Sequence, residues 1–230
     1  MTTPTPTPTR PTLQIGQLKI NGAGAVVIQL TLLAGVVALL WWQRPSLGMW
    51  LSGGLWGVLM VYWSREARKP TPTVKAESRS GTMKHAAWRE IGLLLLFLPI
   101  WGLNRVVLPS GSRHVWIGLG VQLLGMWFYF RGRRELGRQW SSAISIKTDH
   151  QLITTGPYRF IRHPMYTAMI AMALGTAIVN TRIHALIGVA LVAWSYVVKI
   201  GVEEVWMAEQ FGPAHADWRR HSWKLVPLLY

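Results

Sequence analysis

Long stretches of this chain carry almost no charge, and charged residues crowd into the segments between them. The hydrocarbon core of a bilayer takes roughly 20 apolar residues in helical form, with a range of about 17–25. Six segments come near that length: Ala23–Trp42, Leu47–Trp63, Ile91–Leu108, Val115–Phe130, Pro164–Asn180 and His184–Ile200. Lipid offers the backbone no hydrogen-bond partner, so such segments fold as helices. Only 14% of the residues are charged, against about 25% in a soluble domain. The expected fold class is an all-α integral membrane protein with about six transmembrane helices. The lipid bilayer is its first partner.

The net charge is +15, a balance that elsewhere points to nucleic acid. Here the cations have a different cause. Residues 64–90 carry Arg65, Arg68, Lys69, Lys75, Arg79, Lys84 and Arg89, and residues 131–163 carry Arg131, Arg133, Arg134, Arg138, Lys147, Arg159 and Arg162. The intervening linkers, around 43–46, 105–113 and 181–183, are sparse. Basic loops stay cytoplasmic. The pattern predicts both termini in the cytoplasm of a bacterial-type inner membrane, helices paired as hairpins, and no nucleic-acid partner. The 14 tryptophans suit the two interfaces.

The chain divides into three parts on this reading. Residues 1–22 open with a Thr-Pro repeat, which prevents helix and predicts a disordered tail. Residues 23–131 hold the first four helices. Residues 132–230 hold an interfacial cytoplasmic segment, helices five and six, and an amphiphilic C-terminal tail. There is no cysteine, so disulfides and thiolate sites are excluded. The histidines show no ligand spacing, and no metal is expected. The Gly-x-Gly triplets at 22–24 and 118–120 lie in apolar runs and are expected to serve helix packing.

Polar chemistry concentrates at the mouth of the fifth segment, in GPYRFIRHPMY (156–166). Proline suits the first turn of a helix and keeps the residue before it out of the α region. His163 is therefore expected to sit at a helix N-terminus with its imidazole facing sideways. That terminus, with Arg159 and Arg162, forms an anion site. Gly156-Pro157 turns Tyr158 back toward it. Glu203 and Glu204 follow the sixth segment directly, where carboxylates are costly. Lys199 lies four residues before Glu203, on the same helix face. The run from His150 through Gln151, Leu152 and Ile153 offers extended backbone to a planar ligand. Each feature also has a plain structural reading: a helix anchor, an ion pair of the glutamates with Arg162 or Lys199, and attraction of the basic tail (Arg219, Arg220, His221, Lys224) to anionic lipid.

HQLITTGPYRFIRHPMY (150–166), then Glu203-Glu204, then Phe211-Gly212, resembles the isoprenylcysteine carboxyl methyltransferase family, which shares a superfamily with phospholipid methyltransferases. The resemblance covers about residues 132–227. It implies S-adenosyl-L-methionine as cofactor, bound without a Rossmann domain in a pocket roofed by the interfacial segment and the C-terminal tail. It carries cofactor contacts to His150, Gln151, Leu152, Ile153, Tyr158, His163, Pro164, Met165, Tyr166 and Glu203. Together with the residue reading it gives Glu204, Arg162 and Lys199 as catalytic. The acceptor implied is a lipophilic or isoprenoid-like small molecule entering from the membrane, with carboxyl O-methylation the first expectation. The tail departs from the family pattern: His215 and Trp218 stand where it carries tyrosines, and His221, Ser222 and Trp223 where it carries Arg, Val and Pro. These changes fall where substrate is recognised. Two alternatives are an NADPH-dependent sterol-type reductase and a non-catalytic membrane scaffold. Adjacent glutamates would repel the nucleotide phosphates of the first, and the second predicts no cofactor binding.

Overall fold

The structure is a computed structural model that describes residues 13–15, 18–20, 46–67, 72–107 and 112–227. The chain forms two units, residues 1–45 and 46–230. In the first, strand β1 (Leu13–Ile15) pairs antiparallel with β2 (Leu18–Ile20), with Leu13 opposite Ile20. The expected tail thus contains a short strand pair. Its other residues, and the expected span 23–42, lie outside the described residues.

The second unit runs α1 (Leu47–Ala67), β3 (Thr73–Ala76), α2 (Arg79–Phe97), α3 (Ser112–Leu136), β4 (Ser145–Lys147), α4 (Pro164–Asn180), α5 (Ile183–Phe211) and α6 (Pro213–Arg220). Short 3₁₀ turns occupy Gly137–Gln139 and Gly156–Arg159. Four expected spans fall within α1, α3, α4 and α5. The span expected at Ile91–Leu108 is displaced. Its helix, α2, begins at Arg79, where Ser78 Oγ accepts from Gly81 N–H at 3.2 Å, and stops at Phe97. Pro99 is the reason for the stop: it pushes Leu98 to the extended conformation observed (φ −93°, ψ 121°). Gly132–Leu136, expected to be interfacial segment, is the last turn of α3. Among the described residues only α5 is long and apolar enough to cross a bilayer, and α4 is a shorter apolar helix. At 1.5 Å per residue, the 29 residues of α5 span about 44 Å. Its apolar part ends near Ile200, and Glu203 and Glu204 lie in the polar part that follows.

Close backbone approach holds the helices together. A Cβ on Gly92 of α2 would lie 2.7 Å from the Gly188 carbonyl of α5, and one on Gly118 of α3 would lie 2.6 Å from the Gly175 carbonyl of α4. Gly118 is therefore the packing residue of its triplet; Gly120 faces open space. Thr176 Oγ of α4 accepts from Trp56 Nε1 of α1 (2.9 Å) and Gln122 Nε2 of α3 (2.7 Å), all buried. These bonds tie three helices together at one buried hydroxyl.

The connections sort by charge. β3 and β4, from the two basic loops, pair antiparallel with Thr73 opposite Lys147. At the other end of α2, the sparse linkers meet: Val107 N–H donates to Thr181 O (2.8 Å) and Ile183 N–H to Arg105 O (3.1 Å). Thr181, in the left-handed region (φ 62°), lets α4 turn into α5 within two residues.

Candidate active site

Pro164 opens α4, and His163 before it is non-helical (φ −123°, ψ 59°) as the sequence predicts. Its carbonyl accepts from Thr167 N–H (3.1 Å), while its imidazole stands free of the helix. The ring reaches both glutamates of α5: Nδ1 lies 3.3 Å from Glu203 Oε2 and Nε2 3.0 Å from Glu204 Oε1. Consecutive helical residues point in different directions, so one imidazole joining two of them holds both carboxylates in place. Tyr166 donates its hydroxyl to Glu203 Oε1 at 2.5 Å. Its ring stacks on His163 (5.5 Å, 5°) and on Tyr196 (4.7 Å, 18°). Lys199 Nζ sits 5.0 Å from the Tyr166 ring centre, a cation over a π face.

Arg162 connects this pair to the C-terminal tail. Its Nε donates to Glu204 Oε1 at 2.8 Å; its Nη1 donates to the Ser222 carbonyl, to Ser222 Oγ (3.2 Å) and to Arg219 O (3.4 Å). The tail itself is laid against residues 160–163 as a strap. Trp223 N–H donates to Phe160 O (2.9 Å), Arg162 N–H to Trp223 O (2.8 Å) and His163 N–H to Lys224 O (3.1 Å). Thr167 Oγ donates to Leu225 O (2.6 Å) and Trp218 Nε1 to Tyr158 O (2.8 Å). The tail is thus bonded to the protein, and attraction to lipid alone does not describe it. Gly212 (φ 49°) and Pro213 end α5 and turn the chain into α6 and the strap.

The predicted residues divide into groups. Arg162, His163, Tyr166, Lys199, Glu203 and Glu204 form one cluster. Gln151 and Ile153 line a cleft of about 1080 Å³ with Arg138, Gln139, Trp140 and Lys147. His150 is half-buried, edge-on to Phe211 (5.4 Å, 77°), with Nδ1 unpartnered; Leu152 is half-buried beside it in sequence. Tyr158 is buried. Pro164 and Met165 pack toward Gly132 of α3. Tyr196, His215, Trp218, Arg219 and Ser222 join the surroundings without having been singled out as site residues. His215, Trp218 and Ser222 carried a signal as departures from the family tail pattern, and Tyr196 by its spacing of seven residues before Glu203, one helix face.

Electrostatics follow burial and pairing. Burial opposes a charge on His163, yet hydrogen bonds and charge from Glu203 and Glu204 outweigh it and raise its pKa above the ordinary value. Burial, then Lys147, lowers that of His150. Burial, then Arg133, pushes Lys147 down to about 8, and its Nζ donates to the carbonyls of Arg138 and Trp140. Burial raises Tyr158 well above its ordinary value, leaving a neutral phenol.

The profile of the phospholipid methyltransferase family matches residues 113–214. A protein-S-isoprenylcysteine O-methyltransferase of Dictyostelium discoideum is 23% identical over 161 residues, covering 68% of each chain. That of Schizosaccharomyces pombe is 28% identical over 114 residues, 48% of each chain. Enzyme B of Arabidopsis thaliana is 27% identical over 130 residues, 54% of this chain and 66% of the relative. The chain therefore spans between about half and two thirds of these relatives. A solved structure of the eukaryotic intramembrane Ras methyltransferase ICMT overlays 68% of this chain and 55% of its own, with 22% identity and a TM-score of 0.44.

Proposed function

We propose that this chain, which is similar to protein-S-isoprenylcysteine O-methyltransferases and matches the phospholipid methyltransferase profile, is a multi-pass membrane methyltransferase that uses S-adenosyl-L-methionine and methylates the carboxylate of a lipophilic, isoprenoid-like acceptor. One observation carries this reading: two adjacent glutamates, Glu204 buried and Glu203 half-buried, held by Arg162, His163 and Tyr166 beneath a bonded C-terminal strap.

The residues fit the cofactor. Its ammonium and sulfonium are cationic, and Glu203 and Glu204 present two carboxylates together at one place. His150 Nδ1 is buried without a hydrogen-bond partner, so hydrogen-bonding capacity is left for a ligand. The cleft bordered by Gln151 and Ile153 has the size expected of a small-molecule site, about 300–1,000 Å³. S-Adenosylmethionine, when bound, supplies a methyl group on positively charged sulfur.

The protein's part is orientation and exclusion of water. His163 and Tyr166 fix the plane of the Glu203 carboxylate. The stacked rings of His163, Tyr166 and Tyr196 form an apolar wall that dries the site and strengthens its electrostatics. Glu204 Oε1 already carries two donors, Arg162 and His163, which suits orientation better than proton uptake. A carboxylate acceptor needs no base, and Lys199, with no carboxylate bonded to it, is placed to hold one. Positioning of this kind supplies a large share of a bimolecular barrier.

The test is calorimetry of S-adenosylhomocysteine on wild type, His163→Gln, Tyr166→Phe and Glu203→Gln, with thermal unfolding alongside, and transfer of labelled methyl to a farnesylcysteine analogue. Losing one hydrogen bond to a charged ligand group weakens binding roughly 10–150-fold. Weaker binding at unchanged stability supports the site. Binding of NADPH instead of S-adenosylhomocysteine would overturn it.

A further inference from the structure

Glu204 is anchored on one side only. Its Oε1 receives Arg162 Nε at 2.8 Å and His163 Nε2 at 3.0 Å. Its Oε2 is buried and has no hydrogen-bond partner. Two groups face that oxygen, both from α6: Arg219 Nε at 3.5 Å and His215 Nε2 at 4.0 Å. Arg219 is about half exposed, so water competes for it. His215 is 1% exposed, and its Nε2 is also without a partner. A buried nitrogen and a buried carboxylate oxygen thus face each other across a gap about 1 Å wider than a hydrogen bond. Buried polar atoms are nearly always paired; beside His215, Oε2 has the half-exposed Arg219 as its neighbour, and His215 Nε2 has no hydrogen-bond partner.

The ring is aimed, not loose. His215 lies in the first turn of α6, and its ring packs against Trp218 (5.9 Å, 65°), whose indole is bonded to the Tyr158 carbonyl. That arrangement leaves the Nε2 edge toward α5.

We propose that His215 is a positioning residue for Glu204: its Nε2–H donates to Oε2, fixes the second carboxylate oxygen and latches α6 and the strap onto the carboxylate pair. The charged groups facing it are Glu204 from α5, Arg162 and His163 from the segment before α4, and Arg219 from α6 itself. Burial, with those three cations, holds the imidazole below its ordinary value against the pull of Glu204. The donor at neutral pH is therefore the neutral Nε2–H tautomer. The latch itself stands on geometry alone; its effect on cofactor affinity rests on the function proposed above.

The experiment compares His215→Gln with His215→Asn in the full chain in lipid nanodiscs. A glutamine amide reaches about as far as Nε2, and an asparagine amide stops short of it. Two quantities are read: the rate of tryptic cleavage at Arg219 and Arg220 in ligand-free protein, and the affinity for S-adenosylhomocysteine. The Asn variant is expected to be cut at least about tenfold faster and to bind at least about tenfold more weakly, the loss of one charge-assisted hydrogen bond. The Gln variant is expected to stay near wild type in both. Equal behaviour of the two variants, whether intact or impaired, overturns the proposal and leaves His215 as packing. If wild type does not bind S-adenosylhomocysteine at all, the donor-site reading fails, and cleavage alone decides the latch.

Discussion

Replacing Arg162 by methionine isolates the contact that joins the glutamate pair to the strap. The side chain is 7% exposed and serves Glu204, Ser222 and Arg219 at once. Its bond to Glu204 is charge-assisted, a contribution of about 1.5–3 kcal/mol. The Ser222 carbonyl left without its donor adds about 1–3 kcal/mol of uncompensated desolvation. His163 still holds Glu204 Oε1, which limits the damage. The expected total is about 3–5 kcal/mol, the usual cost of removing one partner from a buried pair. For a chain of this size that lowers the unfolding midpoint by about 6–20 °C. Arg162→Met combined with Glu204→Gln removes the unpaired charge as well, so the double variant should be more stable than the sum of the singles by about 0.5–3 kcal/mol. Intrinsic tryptophan fluorescence in detergent reads both quantities. A loss under about 1 kcal/mol, or strict additivity, would mean that water reaches the pair and that something other than Arg162 holds the strap.

Three further outcomes are expected. The raised pKa of His163 makes its ion pairs fully present below the unfolded value of about 6.5 and lost as pH rises through the folded value; stability should therefore fall above neutral pH, and a His163→Gln variant with the same slope would show that another group titrates. Gly92→Leu should displace α2 from α5, since even a Cβ meets the Gly188 carbonyl at 2.7 Å; overpacking costs typically about 1–3 kcal/mol, and an unchanged midpoint would contradict the contact. The chain has no cysteine, so Trp101→Cys and Thr148→Cys can be labelled singly with an impermeant maleimide in sealed vesicles; opposite sidedness is expected, because Trp101 follows the end of α2 and leads into the sparse linker at 105–113 while Thr148 lies in a basic loop, and labelling from the same side would refute the proposed arrangement.

Much of the local structure was legible in the sequence. Pro164 dictates the start of α4 and the conformation of His163 through sterics that act between neighbours. Gly212-Pro213 stops α5 by the same local logic. The apolar lengths mark α1 and α4 within a few residues and the starts of α3 and α5 likewise, while α3 and α5 run on past the apolar part by six and 11 residues. The error at α2 is instructive: hydropathy follows the apolar half, Ile91–Phe97, and misses the polar half, Arg79–Glu90. That half is helical because Ser78 caps it and because His85 and Thr82 bond the Glu77 carboxylate.

What composition and spacing cannot express is pairing across the chain. Glu203-Glu204 and Arg162-His163 are about 40 residues apart, and the sequence allowed either a ligand site or a plain ion pair. The tertiary structure supplies the ion pair, but gives one imidazole to two carboxylates and leaves Glu204 Oε2 without a hydrogen bond. The tail read as basic and aromatic, a property of its surface; only folding decided that its backbone lies along 160–163 and that His215 faces Glu204. The sequence by itself determined the apolar helical segments and where their polar ends fall, because those follow from apolar length and backbone sterics within a few residues; it did not mark the polar half of α2 or the short α6. Which polar ends meet was decided by helix packing, through close approaches such as Gly92 to Gly188 and Gly118 to Gly175, whose partners are far apart in the chain.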